Sequence, residues 1–524
     1  MKEKILSSLL TVLAFSVMQA QDGTIPVAPR LVVGITIDQL RADYLATFAS
    51  LYGERGFKRL WREGRVYSNA AYGFSNVDGA SAMASLYTGT SPAKNGIVAA
   101  RWLDRSSLRS VSCSDDRDFM GYYTAEHTSP KNLLVSTVTD ELKIATQGRS
   151  IVYAFAPSRD EAVMAAGHAA DGAYWLNELT GKWGGSTYYG TFPRWLMVYN
   201  DNQSTDSRIG NIQWELLLDK SVYDNPTGEA VFSHTFSDAR KYRRLKKTPC
   251  VNDEVNKVVN ACLYGTMIGA DPITDFLSVT YQAGSFHSET GVESYLEMQD
   301  TYARLDKDLA ALFDMVDKKV GLENTLFFLT STGYVEGGVA DHSAYHIPTG
   351  EFYINRATAL LNMYLMALYG DGQYVEVSDG LQIYLDRKLI EKKQLILKDV
   401  LDRSAEFLTD LSGVQQVYTA YDLSRGGWSP ELERVRNGYN PQRSGDICLE
   451  ICAGWKLMDA DSREINTVRQ AYVSFPLIFM GAGIVPETVH TVVATDCIAP
   501  TLSSVMRIRA PNACSSAPIT DLFK

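Results

Sequence analysis

No apolar run after residue 17 is long enough to span a bilayer, and the one before it, Ile5 to Val17, is too short. No cysteine follows that run closely, which argues against a lipid anchor. There is no excess of basic charge. The net charge of −11 argues against nucleic acid or an anionic membrane surface as a main partner. Low-complexity tracts and internal repeats are absent, which leaves an ordinary globular composition. The seven cysteines are an odd number at spacings that make no zinc cluster. Cys448 and Cys452 lie in one alternating strand-like run, where four residues span roughly 13 Å, too far for a bond between them. Buried thiols or scattered disulfides are expected.

What is present begins with a leader. Lys2 and Lys4 precede the short apolar run, and Ala20 stands before Gln21 as a cleavage site. The mature protein is therefore expected from 21 to 524, exported to the periplasm or the outer membrane of a Gram-negative cell. Leu31 to Ile37 is a near-continuous apolar run ending at Asp38, the pattern of a buried parallel strand. Similar runs start near Ser150, Phe276, Thr325 and Pro476. Between them, Gln299 to Lys319 places Tyr302, Leu305, Leu309, Leu312 and Val316 on one helical face. Strands alternating with helices predict an α/β core with a central, mostly parallel sheet.

Two stretches interrupt that pattern. The segment 156–262 is rich in Trp, Tyr, Gly and Asn and reads as a cap. A smaller insertion is expected at 364–417. The basic run Arg240 to Lys247 reads as a solvated turn rather than an anion site. Ligands of an open α/β sheet sit at the carboxyl ends of its strands. That directs attention to Asp38, the Gly79 turn, Ser158 to Asp160, Tyr281 to Ser285, Ser331 to Tyr334 and Tyr472 to Phe475. The Gly79 turn opens a helix packed with small residues, with Asp78 as N-cap and Gly89 as stop. A phosphoryl-transfer enzyme would place a hydroxyl nucleophile at such a helix N-terminus.

Several runs make the chain resemble the alkaline phosphatase superfamily, and in particular the phosphate-irrepressible, single-threonine alkaline phosphatases of Bacteroidota. They include Leu31 to Tyr44, Gly56 to Leu60 with Arg62 to Gly64, Tyr87 to Ala93, and Ala166 to Trp175. Asp275 to Leu277, Arg304 to Leu309, Gln382 to Leu385 and Ile498 to Leu502 add to them. The resemblance implies one α/β core with inserted segments.

The departures are as informative as the matches. Gly79 stands where that family has a nucleophilic threonine, and glycine carries no hydroxyl. Family zinc-ligand positions fall on Tyr281, Ser285, Thr332, Gly333 and Ser474, leaving Asp38 as a vestige. Phosphoryl-holding positions fall on Ala100, Ser158 and Asp160, with Arg159 able to restore one cation if the register shifts by one. Asp341-His342 with His346 is a relocated ligand set to weigh against plain polar loop, and the loop is preferred. Ser81 is a poor substitute nucleophile, two residues further on.

The sequence therefore leads to the expectation of a catalytically inactive homologue, an exported binding or scaffold protein with a protein partner and no cofactor. The aromatics Trp175, Trp183, Tyr188, Tyr189 and Trp195 would supply a binding face. One alternative is an active metal-dependent phosphomonoesterase or phosphodiesterase with a non-standard site, which would need zinc. Another is a receptor for an uncharged polar ligand in a cleft lined by Tyr281, Ser285, Thr332 and Ser474.

Overall fold

The computed structural model describes residues 28–226, 228–284, 286, 294–336, 346–425, 427, 429–452, 454–459, 469–470, 473–481 and 483–523. The expected leader lies outside them, as do Ser285, Asp341 and His342.

An eleven-stranded sheet organises the chain. Its strands in chain order are β1 (Leu31–Asp38), β2 (Gly64–Ala71), β3 (Gly121–Tyr122), β4 (Val152–Ala156), β5 (Gly172–Leu176) and β6 (Trp183–Ser186). Then come β7 (Asp275–Gln282), β8 (Thr325–Ser331), β9 (Phe475–Gly481), β10 (Glu487–Val489) and β11 (Val493–Ala494). The spatial order is β10-β2-β9-β8-β1-β7-β4-β5-β6-β3, with β11 beside β2. The centre, β8-β1-β7-β4-β5, is parallel throughout. β9 runs antiparallel to both its neighbours, so its beginning lies at the edge where the parallel strands end.

Four helices cover the two faces: α1 (Gly79–Thr88), α2 (Arg159–Ala166), α3 (Cys250–Gly265) and α4 (Tyr295–Lys319). The strand period of two decides which face each residue serves. Val33, Ile35 and Ile37 of β1 join a core cluster with Val255 and Val259 of α3 and Leu305 and Leu309 of α4. Val32 points the other way, into a cluster with Met83 of α1 and Val163 of α2. All five apolar residues read onto one face of α4 are buried. Each contributes about 1.5–3 kcal/mol of hydrophobic stabilisation, an upper bound set by the unfolded reference.

The expected boundaries differ from those observed. The segment 156–262 is no separate cap, because β5 and β6 come from it and extend the central sheet. The smaller insertion is wider than 364–417. It holds a four-stranded sheet of Val375–Asp379, Gln382–Leu385, Ile447–Ile451 and Val414–Thr419, in that spatial order, with its own apolar cluster. Its Asp446 is fully buried and binds the chain in both directions. It takes Arg387 from its own subdomain at Nε (2.8 Å) and Arg105 from outside at 3.0 Å, and also accepts the Leu385 amide at 2.8 Å.

The aromatic binding face is also corrected. Trp175 and Trp183 are 1% and 0% exposed. Trp195 packs against Tyr153, Phe155 and Tyr174. Tyr189 is tied inward, its hydroxyl donating to the Gly167 carbonyl at 2.9 Å, and Tyr188 stacks edge-on against Phe119. These rings pack the core and its margin. None of the seven cysteines is in a disulfide. Among the described residues no helix is long and apolar enough to cross a membrane.

Candidate functional site

Asp38 ends β1 on the face that carries α1 and α2, and it is 8% exposed. The next strand over supplies its partner. The Thr332 hydroxyl donates to Asp38 Oδ1 at 2.8 Å and accepts the Gln39 amide at 2.9 Å. Gln39 adopts a left-handed backbone, φ 61°, and its Nε2 donates to Asp38 Oδ2 at 3.3 Å. Both carboxylate oxygens of Asp38 thus accept hydrogen bonds from neutral groups.

Gly333 follows at φ 71°, a conformation that favours glycine. A Cβ there would stand 2.6 Å from the Tyr72 ring and 2.7 Å from the Phe475 ring. Those two rings lie 5.5 Å apart, and the Tyr72 hydroxyl donates to the Ser331 carbonyl at 2.9 Å. Burial, with the charge of Asp38, pushes the Tyr72 hydroxyl well above its ordinary pKa. Ser474, just before β9, is exposed, and its carbonyl accepts the Ala42 amide at 2.9 Å.

Tyr281 is not part of this edge. It lies within β7 and follows the parity of Leu277 and Val279 into the α3/α4 core, where its hydroxyl donates to Asn256 Oδ1 at 2.5 Å. The neutral cleft expected from Tyr281, Ser285, Thr332 and Ser474 therefore does not assemble as read. Tyr281 faces away, and Ser285 lies outside the described residues. His346 sits on an exposed turn at φ 58°, while Asp341 and His342 lie outside the described residues.

The turn before α1 follows its sequence closely. Asp78 Oδ1 accepts the Ser81 amide at 2.9 Å, and Ser81 Oγ accepts the Asp78 amide at 2.9 Å, a reciprocal capping box. Gly89 ends the helix at φ 63°. Ser81 is fully buried and its hydroxyl is committed to Asp78, so it is no nucleophile. Asp78 Oδ2 accepts the Ala100 amide at 2.7 Å, and position 100 thus contributes its backbone to the turn.

α2 brings the charges. Ser158 is its N-cap residue, without a side-chain cap bond. Arg159 is engaged by Asp115 at 3.1 Å and Asp160 at 3.0 Å, and donates to Ser112 Oγ at 2.6 Å. Burial opposes its charge, but Asp160, Glu126 and Asp115 outweigh that and raise its pKa. This cation is held by carboxylates. Asp160 also accepts the hydroxyls of Ser112, at 3.1 Å, and Ser114.

Glu161 follows, 7% exposed. A Cβ on Gly79 would stand 2.5 Å from Glu161 Oε1. The carboxyl therefore fills the space that any side chain at residue 79 would need. Burial, then Asp38, hold its pKa well above the carboxylate range, with Asp160 and Asp78 adding to this and Lys246 opposing. Burial pushes Lys246 down. Sequence reading missed both residues. A glutamate in the first turn of a helix reads as an ordinary complement to the helix dipole, and Lys246 was counted with the basic patch. The rest of that patch is not the expected solvated turn: Lys241–Leu245 is a short helix that buries Tyr242 and Leu245 and pairs Arg244 with Asp238 at 2.7 Å.

The zinc pair implied by the resemblance can be tested against these donors. Among the described residues no group of three or more His, Cys, Asp or Glu side chains could hold a metal ion. Thr332 occupies one ligand position as a hydrogen-bond donor to Asp38, and the place beside Gly333 is filled by aromatic rings. Zinc sites need imidazole, thiolate or carboxylate donors. The described residues do not fit the group; Ser285, His287, Asp341 and His342 lie outside them.

The type I phosphodiesterase / nucleotide pyrophosphatase family model matches residues 32–472. Alkaline phosphatase PafA of Elizabethkingia meningoseptica is 32% identical over 546 aligned positions, covering 98% of each chain. Alkaline phosphatase PhoV of Synechococcus elongatus is 30% identical over 564 positions, covering 100% of both. The crystal structure of wild-type PafA superposes with a TM-score of 0.81 at 30% identity, over 95% of this chain and 99% of that one. These relatives overturn the expectation of a catalytically inactive scaffold protein. Proteins named as phosphatases match this chain from end to end, and nothing in the comparisons marks it as inactive.

Proposed function

We propose, because the chain belongs to the type I phosphodiesterase / nucleotide pyrophosphatase family within the alkaline phosphatase superfamily, that it is a phosphoric ester hydrolase with a non-standard site. The observation that carries this reading is the full-length relation to two named alkaline phosphatases. Two features set its chemistry apart. Gly79 has no hydroxyl, so water attacks phosphorus directly and no covalent phospho-enzyme forms at that turn. Among the described residues the neutral Thr332 and Gln39 bond Asp38, and in this reading hydrolysis proceeds without a zinc pair.

Charge narrows the substrate. Asp38, Asp78 and Asp160 are the carboxylates that act on Glu161 beside the N-terminus of α1, with Lys246 the cation set against them. A doubly charged phosphomonoester meets about twice the repulsion of a singly charged diester in that field. Phosphodiesters are the favoured class.

The test uses purified full-length protein with bis(p-nitrophenyl) phosphate and p-nitrophenyl phosphate, with and without added metals. Turnover of the diester above that of the monoester is expected. Failure to hydrolyse either ester under any metal condition would sink the reading. Elemental analysis after incubation with excess zinc and desalting is expected to give well under about one zinc per chain. Two per chain would overturn the metal-free part alone. The leader-like Met1 to Ala20 supports export, and a mature N-terminus near Gln21 is the expected result of mass analysis of the secreted protein.

A further inference from the structure

We propose that the Glu161 carboxyl is the proton-transferring group of this site, standing where a hydroxyl side chain on residue 79 would reach. The proposal rests on the hydrolase reading above and goes beyond it by naming the residue that protonates the leaving alcohol.

Three observations carry it. The first is position. Glu161 Oε1 lies 2.5 Å from the place a Cβ on Gly79 would take, and its Cδ lies 3.4 Å from it. The carboxyl is therefore at the N-terminus of α1, a ten-residue helix whose Ser81 amide is taken by the Asp78 cap and whose dipole favours an anionic phosphoryl group. The second is availability. Glu161 is 93% buried by its 7% exposure, and burial and neighbouring charges, rather than a hydrogen bond, lead the influences on its carboxyl. By contrast Asp78 is committed to Ser81 and Ala100, Asp160 to Ser112, Ser114 and Arg159, and Asp38 to Thr332 and Gln39. The third is surroundings. The charged groups facing Glu161 are Asp38 from the end of β1, Asp78 from the turn before α1, Asp160 from its own helix and Lys246 from the segment before α3. Three carboxylates and burial against one ammonium keep a proton on Glu161 at pH values where a free glutamate is ionised.

A carboxyl that keeps its proton in this range donates it, and a phosphodiester supplies the acceptor. The water oxygen forms a bond to phosphorus. The bond from phosphorus to the leaving alcohol oxygen breaks, and its electron pair goes to that oxygen, which takes the Glu161 proton. The proton lost by the water returns through solvent to the Glu161 carboxylate. The products are a phosphomonoester and an alcohol, and the residue ends as it began.

Donation to the leaving group matters most when that group is a poor one. The test compares a bis-phenyl with a bis(p-nitrophenyl) diester across the pH range, using full-length wild type, E161Q and Gly79→Ala. For E161Q, kcat on the phenyl ester should fall by about 100-fold and on the p-nitrophenyl ester by less than about 10-fold. KM should stay within about threefold, and the alkaline limb of the kcat profile should disappear. Gly79→Ala leaves Glu161 in place but drives its carboxyl aside, and should show the same leaving-group dependence. Should E161Q fail to fold, Glu161→Ala with added formate replaces it, and formate should restore turnover of the phenyl ester. An active wild type whose E161Q variant loses both esters equally, or neither, overturns this proposal and leaves the hydrolase reading standing. A wild type inert on both esters overturns the two together.

Discussion

Gly333→His destabilises the chain by about 3–5 kcal/mol in urea unfolding. Two separate costs add. Residue 333 sits at φ 71°, which a side chain with a Cβ tolerates poorly. That Cβ would also stand 2.6 Å from Tyr72 and 2.7 Å from Phe475, both buried and packed on each other. The Tyr72 ring cannot swing away cheaply, since its hydroxyl is bonded to the Ser331 carbonyl. Most of the loss should appear already in Gly333→Ala, because the first added carbon makes the clash. An alanine variant within about 1 kcal/mol of wild type would show that the rings give way, and the closed place beside Asp38 would then be open to an imidazole. A single substitution toward the family's ligand pattern thus disrupts packing before it offers a donor.

Removing the Asp446 carboxylate is the other large effect. Asp446→Ala leaves Arg105 and Arg387 without their shared anion and the Leu385 amide without its acceptor. Breaking a buried pair by deleting one partner costs about 3–5 kcal/mol, because the remaining charge stays desolvated. Arg387 is 45% exposed at its side chain and recovers water, so the loss falls chiefly on Arg105, at 23%, and on the amide. The effect should be regional. Asp446 joins the four-stranded insertion to the hairpin that carries Arg105, and Ser112 on the same hairpin bonds Asp160. Unfolding followed by the fluorescence of Trp455, inside the insertion, should show an early transition that the wild type lacks. One coincident transition with an unchanged midpoint would remove Asp446 from this role.

Much of the fold was legible because the central strands are buried on both faces. Leu31 to Ile37 and Leu326 to Leu329 read as near-continuous apolar runs for that reason. The capping of α1 was legible too, since Asp78 and Gly89 act through their own backbone neighbourhood. Tyr281 shows where the reading stopped. Its nearness to a strand end suggested a cleft position, but β7 continues to Gln282 and parity turns the ring into the α3/α4 core. The segment 156–262 failed differently. Its Trp and Tyr content resembled a surface, whereas Trp175 and Trp183 are core residues of two added strands. Glu161 could not be found along the chain at all. Its significance lies in its distance to Gly79, eighty-two positions earlier in sequence. The functional expectation failed for a related reason. Missing groups were counted at positions where one mechanism needs them, and such a count says nothing of a carboxyl that arrives from another helix.

The order of strands has a consequence for how the chain is made. β1 pairs with β7 and β8, and β2 with β9, which begins at Phe475. The middle of the sheet is thus built from segments hundreds of residues apart, and little of it closes locally. Such long-range pairing slows folding, because loop closure precedes the contacts that reward it. Synthesis would release β1 and β2 long before their neighbours exist. Two early strands with bare edges, the first of them rich in Val and Ile, would then wait for most of the chain to follow. A holding chaperone during that interval should raise the yield of native protein far more than any change near Asp38.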